Sequence, residues 1–136
     1  MIREGIARLP KQYGRSTADS VIVIDDESVM LEFMSTVLKN AGYSVYEAGD
    51  GLAGLCMAQS LECQVVVADL NMPHIDGVSL CKELLDRDPD VRIVAVSGAM
   101  FAPDHFETLQ RRGVRVTLTK PFKADTLLAA VEKALE

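Results

Sequence analysis

The stretch VIVIDD, residues 21–26, decides how the rest of the chain is interpreted. Consecutive β-branched residues without alternating polar ones are typical of a strand that is buried on both faces. The stretch VVVAD, residues 65–69, repeats this pattern and also ends in an acidic residue. Buried strands of this kind belong to parallel sheets covered by helices on both sides. The two stretches therefore predict an α/β domain whose inner strands end in carboxylates.

Short β-branched runs alternate with amphipathic helical segments along the chain after residue 20. The predicted strands are residues 21–24, 44–47, 65–68, 92–96 and 115–118. The predicted helices are residues 29–41, ended by Gly42, and segments near 51–60, 77–87, 102–112 and 123–135. Right-handed crossovers wind such a chain into a single doubly wound (βα)5 domain. We expect a five-stranded parallel sheet in the flavodoxin-like order 2-1-3-4-5.

Length and charge limit the classes of protein that fit. A chain of 136 residues holds one domain of ordinary size, here 20–136, after a tail or linker at residues 1–19. A net charge of −6 and a pI near 4.9 argue against direct binding to nucleic acid or an anionic membrane, and favour protein partners. No apolar run is long enough to span a membrane, and no export signal is visible. The chain is expected to be cytoplasmic.

Three cysteines, Cys56, Cys63 and Cys81, have no spacing typical of a zinc site or a disulfide framework. We interpret them as buried thiols in a reducing compartment.

Polar residues follow the strongest strands at the edge where the carboxyl ends of parallel strands meet. Asp25, Asp26 and Asp69 supply oxygen ligands that suit Mg²⁺. The fourth strand is followed by Ser97 and Gly98, and the fifth by Lys120, whose ammonium group suits a phosphoryl oxygen. Each feature alone is common in caps and turns. Together they indicate a site that handles phosphate.

Four motifs, in this order and spacing, resemble the receiver domain of two-component response regulators. They are DDE at residues 25–27, DLNMPHIDG at 69–77, SGA at 97–99 and KPF at 120–122. The resemblance covers residues 20–136 and implies a signalling domain that accepts a phosphoryl group, rather than a turnover enzyme.

The resemblance also implies a role for each site residue. Asp69 would take the phosphoryl group from a phosphohistidine of a sensor histidine kinase or a histidine phosphotransfer protein. Asp26 would bind Mg²⁺ directly, Asp25 through water, and Asn71 through its backbone carbonyl, with Asp69 as a further ligand. Lys120 and the Ser97 hydroxyl would neutralise the phosphoryl oxygens. Lys120–Pro121 is expected to be a cis peptide, as in the family.

The switch expected from the family has one unusual position. Ser97 would move toward the phosphoryl group, and a residue three positions before the lysine, usually aromatic, would follow it. That residue is Thr117 in this sequence. Either Thr117 makes a smaller rearrangement, or Phe101 or Phe122 contributes, or the conformational response is unconventional; for both phenylalanines we favour simple core packing. Asp76 is interpreted as a carboxylate at a helix N-terminus rather than a catalytic acid, and His74 is left without a role.

Two other functions compete with a phosphoacceptor. A small phosphatase resembling the haloacid dehalogenase superfamily also uses an aspartate nucleophile, but its second aspartate corresponds to Asn71, which cannot transfer a proton. A receiver-like module that binds partners without phosphorylation is the other alternative. In either signalling case, a downstream protein is expected on the face formed by residues 101–135, which carries Arg111, Arg112 and Arg115. The domain would be a monomer or a phosphorylation-dependent dimer.

Overall fold

The computed structural model describes residues 19–73 and 75–136. The predicted tail, except for Asp19, and His74 lie outside the described residues.

Five strands and five helices alternate along the described chain. The strands are β1 (Ser20–Ile24), β2 (Ser44–Ala48), β3 (Val65–Asp69), β4 (Arg92–Gly98) and β5 (Val116–Lys120). The helices are α1 (Ser28–Asn40), α2 (Gly51–Ser60), α3 (Gly77–Arg87), α4 (Ala102–Arg111) and α5 (Ala124–Leu135).

All five strands form one parallel sheet in the order β2-β1-β3-β4-β5. This confirms the predicted doubly wound, flavodoxin-like fold. In this order β1 and β3 are adjacent inner strands, with Ile24 opposite Ala68. The residues that follow these two positions, Asp25 and Asp69, therefore emerge side by side at the same edge.

Alternating side chains of the inner strands fill two separate cores. Val21, Val23, Val65 and Val67 pack on the face covered by α1 and α5. The intervening side chains pack on the opposite face with α2, α3 and α4; they are Ile22, Ile24, Val66 and Ala68. Both faces of β1 and β3 are buried, which accounts for their unbroken β-branched sequence.

The helix boundaries follow local chemistry. Gly42 has a φ of 98°, a left-handed conformation that glycine adopts without strain, and it follows α1 as predicted. The Asp76 carboxylate accepts a hydrogen bond from the Val78 N–H and caps α3, which places it at the helix N-terminus as predicted. None of the helices in the described residues is long and apolar enough to cross a bilayer.

The loop after β3 contains structure that the sequence did not predict. Asn71–Met72 and Ile75–Asp76 pair as a short antiparallel ribbon. In addition, β3, β4 and β5 extend farther than predicted, so that Asp69, Ser97, Gly98 and Lys120 lie within the strand ends. Backbone pairing therefore holds these residues directly.

The prediction that all three cysteines are buried was wrong. Cys81 is buried, Cys63 is partly buried and Cys56 is exposed. Helix α2 packs against the sheet through Gly54, and a step of two residues along a helix turns about 200°, which places Cys56 on the outer side.

The preference for core packing of Phe101 was also wrong. Its side chain is 51% exposed, because Ala102 and Leu109 take the buried positions of α4. Phe122 does pack against the core and contacts Phe33, with ring centroids 6.3 Å apart.

Gly77 is the position where the loop after β3 cannot accept a side chain. A Cβ atom there would collide with the backbone of Leu70, which is fixed between Asp69 and the ribbon. We expect Gly77→Ala to lower the free energy of unfolding by about 2 kcal/mol, measured by urea denaturation. Gly49→Ala is the matched control, because a Cβ at Gly49 meets nothing within 4 Å. Equal effects of the two substitutions would contradict this assignment.

Candidate functional site

Three carboxylates meet at the carboxyl edge of the sheet. Asp25 and Asp69 are 0% and 1% exposed, while Asp26 is exposed. One carboxylate oxygen from each of the three lies within 4.8 Å of the others. The structure thus brings together the three acidic residues that the sequence selected.

Backbone hydrogen bonds orient the two buried carboxylates. Asp25 Oδ1 accepts from the Glu27 N–H at 2.9 Å, and Asp69 Oδ1 accepts from the Asn71 N–H at 3.0 Å. Each bond spans two residues, as in an Asx turn, and leaves the Oδ2 atom of the same carboxylate directed elsewhere. In both residues that Oδ2 atom contacts Lys120.

Lys120 joins the two inner strands to β5. Its Nζ atom lies 3.2 Å from Asp25 Oδ2 and 3.3 Å from Asp69 Oδ2, and 3.6 Å from Glu27 Oε1. The Lys120–Pro121 peptide is cis, as the resemblance implied.

The charges at this edge do not balance. Burial is the main reason that the pKa of Asp25 is raised, and the negative charge of Asp69 raises it further, against the lowering effects of the Glu27 N–H and Lys120. Burial alone would lower the pKa of Lys120, but Asp69 and Asp25 outweigh it and raise that pKa. The ammonium group of Lys120 therefore does not fully offset the cost of burying the Asp25 carboxylate beside Asp69.

The donor set fits a hard divalent cation. The site offers convergent carboxylate oxygens, of which Asp26 is open to solvent, and no nitrogen or sulfur ligand belongs to the cluster found among the described residues. Oxygen-only sites with one or two carboxylates and remaining water ligands are typical of Mg²⁺. Asp25, Asp26 and Asp69 can therefore hold this ion.

A second group of polar side chains surrounds Ser97 at the end of β4. The Ser97 hydroxyl is fully buried and donates to Asn71 Oδ1 at 3.1 Å; it also lies 3.0 Å from His105 Nδ1. Asn71 Oδ1 additionally accepts from the Gly98 N–H at 2.8 Å. The Asn71 side chain therefore ties the loop after Asp69 to the loop after Ser97.

Sequence reasoning missed both side-chain partners of Ser97. It selected Asn71 only for its backbone carbonyl, and it did not single out His105. His105 is one of two histidines and lies in the first turns of a predicted helix that follows Ser97. The short distance in sequence between Ser97 and His105 was the only signal of their contact, and sequence distance alone does not predict a side-chain contact.

Thr117 was predicted to accompany Ser97 in the switch. It is half-buried on β5 opposite Ala95, on the sheet face covered by α4. Among the described residues, the hydrogen-bond partners of the Ser97 hydroxyl are Asn71, Gly98 and His105, and Thr117 is not one of them. Ser97 is therefore contacted by a side chain of α4, His105, and not by the Thr117 side chain of β5.

Comparison with known proteins gives a consistent result. The family model of the response regulator receiver domain matches residues 21–132. The DNA-binding dual master transcriptional regulator RpaA of Synechocystis is 30% identical over 117 residues, covering 85% of this chain and 48% of RpaA. The chemotaxis protein CheY of Listeria monocytogenes is 27% identical over 115 residues, covering 84% of this chain and 96% of that protein.

A solved structure shows the same architecture. The response regulator receiver domain protein from Clostridium thermocellum superposes with a TM-score of 0.80 at 25% identity, covering 87% of this chain and 94% of that one. Several relatives are longer proteins: the chain spans 48% of RpaA, 26% of the C4-dicarboxylate transport regulator DctD of Rhizobium meliloti and 14% of the sensor kinase CckA of Brucella abortus.

Proposed function

Because the chain belongs to the response regulator receiver family, we propose that Asp69 accepts a phosphoryl group from a phosphohistidine. The donor is a sensor histidine kinase or a histidine phosphotransfer protein. The observation that carries this proposal is the position of Lys120 Nζ beside two buried carboxylates, 3.3 Å from Asp69 Oδ2 and 3.2 Å from Asp25 Oδ2. A lysine in this place can meet the negative charge that a phosphoryl group brings to Asp69.

The transfer is a single displacement at phosphorus. A carboxylate oxygen of Asp69 forms the new P–O bond while the P–N bond to the donor imidazole breaks, and the electron pair of that bond stays on the imidazole. The backbone N–H of Asn71, which donates to Asp69 Oδ1, holds the carboxylate in one orientation. Lys120 and the Ser97 hydroxyl are the charge-neutralising groups on the protein side. Hydrolysis of the resulting acyl phosphate resets the domain, so it acts as a phosphoacceptor in signalling.

Mg²⁺ is the cofactor of this proposal. Asp26, Asp25, Asp69 and the backbone carbonyl of Asn71 would hold it, and when bound it would neutralise charge on the phosphoryl oxygens. The fit rests on the convergent oxygens of the acidic cluster.

The partner must approach from the carboxyl edge of the sheet, because Asp69 is buried everywhere else. Exposed apolar side chains surround this edge at the starts of α1 and α2 and after β4; they are Val29, Leu52 and Met100. They supply apolar area for a docking helix that presents the phosphohistidine.

The output surface is proposed on residues 101–135, with a downstream protein as the partner and no direct contact with nucleic acid or membrane. Arg111 pairs with Glu107 and Arg112 with Asp86, so both arginines already have an acidic partner within the domain. The exposed Phe101 ring is therefore the stronger recognition feature on this surface. A monomer or a phosphorylation-dependent dimer fits the proposal.

The domain limits and the compartment complete the proposal. We assign the receiver domain to residues 20–136 and a tail or linker to residues 1–19. A cytoplasmic location is supported by the three unpaired cysteines, which are typical of a reducing compartment.

The test is the intact mass of the protein after incubation with acetyl phosphate. We expect one phosphoryl group to be added in the presence of Mg²⁺, and none with a chelator or in Asp69→Asn. Asp90→Asn is the matched control, since Asp90 is exposed at the opposite edge of the sheet. An adduct that survives in Asp69→Asn would contradict the acceptor assignment.

If neither acetyl phosphate nor beryllium fluoride binds, the domain is a phosphorylation-independent binding module. Catalytic turnover of a phosphate ester would instead favour the phosphatase, although Asn71 offers no proton-transferring group.

A further inference from the structure

The Ser97 hydroxyl is held by two side chains from different parts of the chain. Asn71 Oδ1 lies at 3.1 Å and His105 Nδ1 at 3.0 Å, while the Gly98 carbonyl at 3.4 Å is a weaker neighbour. Ser97 is fully buried, so water does not compete for this hydroxyl.

The direction of each hydrogen bond follows from counting protons. The Gly98 N–H donates to the Asn71 side chain at 2.8 Å, so the atom in that position must be the amide oxygen. That oxygen only accepts, and Ser97 must therefore donate its single hydroxyl proton to it. His105 must in turn donate its Nδ1–H to Ser97 Oγ. The result is a chain of bonds from His105 through Ser97 to Asn71.

His105 also connects this chain of bonds to the protein surface. Its ring stacks on Phe101, with centroids 6.0 Å apart and planes inclined by 21°. Phe101 is 51% exposed and follows Met100, which is 85% exposed. The backbone N–H of His105 donates to the Phe101 carbonyl at 3.2 Å, so Phe101 is the N-cap residue of α4 and His105 lies in its first turn.

We propose that His105 is a positioning residue: it holds Ser97 in the unphosphorylated domain and transmits the release of Ser97 to Phe101. This inference rests on the phosphoacceptor function proposed above. His105 thus supplies from α4 the coupling that an aromatic side chain at Thr117 would supply from β5. Thr117 is small and lies on the sheet face that α4 covers. A residue of α4 can therefore reach Ser97 on this face without meeting a large side chain at position 117.

Phosphorylation changes the bonds of Ser97 in a defined way. A phosphoryl oxygen on Asp69 accepts only, so Ser97 can bind it only by redirecting its one proton away from Asn71 Oδ1. The hydroxyl then rotates toward Asp69 and leaves His105 Nδ1 without its acceptor. The His105 ring is no longer anchored, and the Phe101 ring that stacks on it changes its surroundings.

The experiment uses Phe101→Trp as a reporter, since the natural chain contains no tryptophan. Beryllium fluoride with Mg²⁺ is the probe, and the emission maximum of the tryptophan is recorded. We expect the probe to shift this maximum in the reporter protein. His105→Leu in the same background is similar in size but places a methyl group at the position of Nδ1, and it removes the ring that stacks on residue 101. We expect the emission of this variant to match the probe-bound state from the start, without a further shift. Its half-saturating probe concentration should fall about fivefold, the factor that one net hydrogen bond supports.

His105→Asn separates the hydrogen bond from the ring, because its amide occupies the place of Nδ1. We expect this variant to keep a half-saturating concentration within about twofold of the reporter protein, because Ser97 is still held. We expect its emission shift to be lost, because no ring at position 105 stacks on residue 101. Gln110→Leu, an exposed position farther along α4, is the matched control and should behave as the reporter protein. If His105→Leu does not fold, His105→Ala tests the same bond.

Two results with the His105 variants would overturn the inference alone: an unchanged emission shift in His105→Leu, or an equal fall of the half-saturating probe concentration in His105→Leu and His105→Asn. Intact mass after acetyl phosphate treatment is measured on every variant. If the reporter protein forms no adduct and does not bind the probe, the phosphoacceptor function fails and the inference fails with it. If the reporter protein forms an adduct but its tryptophan emission does not shift, only the coupling through His105 is wrong.

Discussion

Replacing Lys120 with alanine is expected to slow phosphoryl transfer to Asp69 by about a hundredfold or more, while Mg²⁺ binds at least as tightly as before. The two effects have opposite signs because Lys120 has two kinds of neighbour. Its ammonium group is placed to neutralise the transferred phosphoryl group. It also lies 3.2 Å from Asp25 Oδ2 and 3.3 Å from Asp69 Oδ2, where it competes with a cation for the same oxygens.

The measurement pairs the rate of adduct formation from acetyl phosphate with calorimetric titration of Mg²⁺. Lys123→Ala is the matched control, because Lys123 is exposed and its side chain does not cap the following helix. We also expect Lys120→Ala to lower the melting temperature in a chelator, since two buried carboxylates lose their ammonium partner. If Mg²⁺ affinity and transfer fall together, Lys120 acts by organising the site and not by neutralising the phosphoryl group.

The residues at the acidic cluster were predictable because the backbone alone brings them together. The buried runs at residues 21–24 and 65–68 identify inner parallel strands, and neighbouring parallel strands deliver the next residue to the same edge. Asp25 and Asp69 are therefore close whatever their side chains do. The position of Lys120 was predictable for the same reason, because the parallel strand β5 ends at the same edge of the sheet.

The surroundings of Ser97 were not predictable, because they depend on side chains from two loops. The contact with His105 requires the exact rotation of α4, and the contact with Asn71 requires the ribbon at residues 71–76. Neither leaves a periodic signal in the sequence. Phe101 was misassigned for a related reason, since hydrophobicity predicts burial only on average and cannot identify a ring that stacks at the surface.

Replacing Asp25 with asparagine is expected to stabilise the Mg²⁺-free protein and to weaken Mg²⁺ binding by about ten- to a hundredfold. Burial and the charge of Asp69 raise the pKa of Asp25 in the folded state above its ordinary value of 3.8. The ionised carboxylate is therefore less favourable in the folded than in the unfolded chain at neutral pH. Asparagine resembles the neutral acid, so we expect the melting temperature in a chelator to rise by about 3 °C.

The sign of the pH dependence provides a second test of the same idea. As the pH falls through the raised pKa of Asp25, the folded state takes up a proton before the unfolded state does, so Asp25 favours folding increasingly until the pH drops below 3.8. Lys120 does not contribute in this range. Its pKa is raised above 10.5, so its stabilising effect is complete below 10.5 and is lost only as the pH rises through the raised value. Asp25→Asn lacks the carboxyl group of Asp25 and should not gain stability from it on acidification. The stability advantage of Asp25→Asn over the unsubstituted protein, measured as the difference in free energy of unfolding, should therefore shrink as the pH falls toward 3.8.

Asp26→Asn separates the cost of burial from the role in binding the ion. Asp26 belongs to the same cluster but is exposed, so its charge remains hydrated in the folded protein. We expect this neighbouring substitution to weaken Mg²⁺ binding without raising the melting temperature in a chelator. A lower melting temperature for Asp25→Asn would show that its bonds to the Glu27 N–H and Lys120 outweigh its desolvation. The melting temperature is expected to rise at only one of these adjacent residues because a buried acid is unfavourable to the fold until a cation shares its charge. That same unfavourable burial favours the binding of a cation at the site.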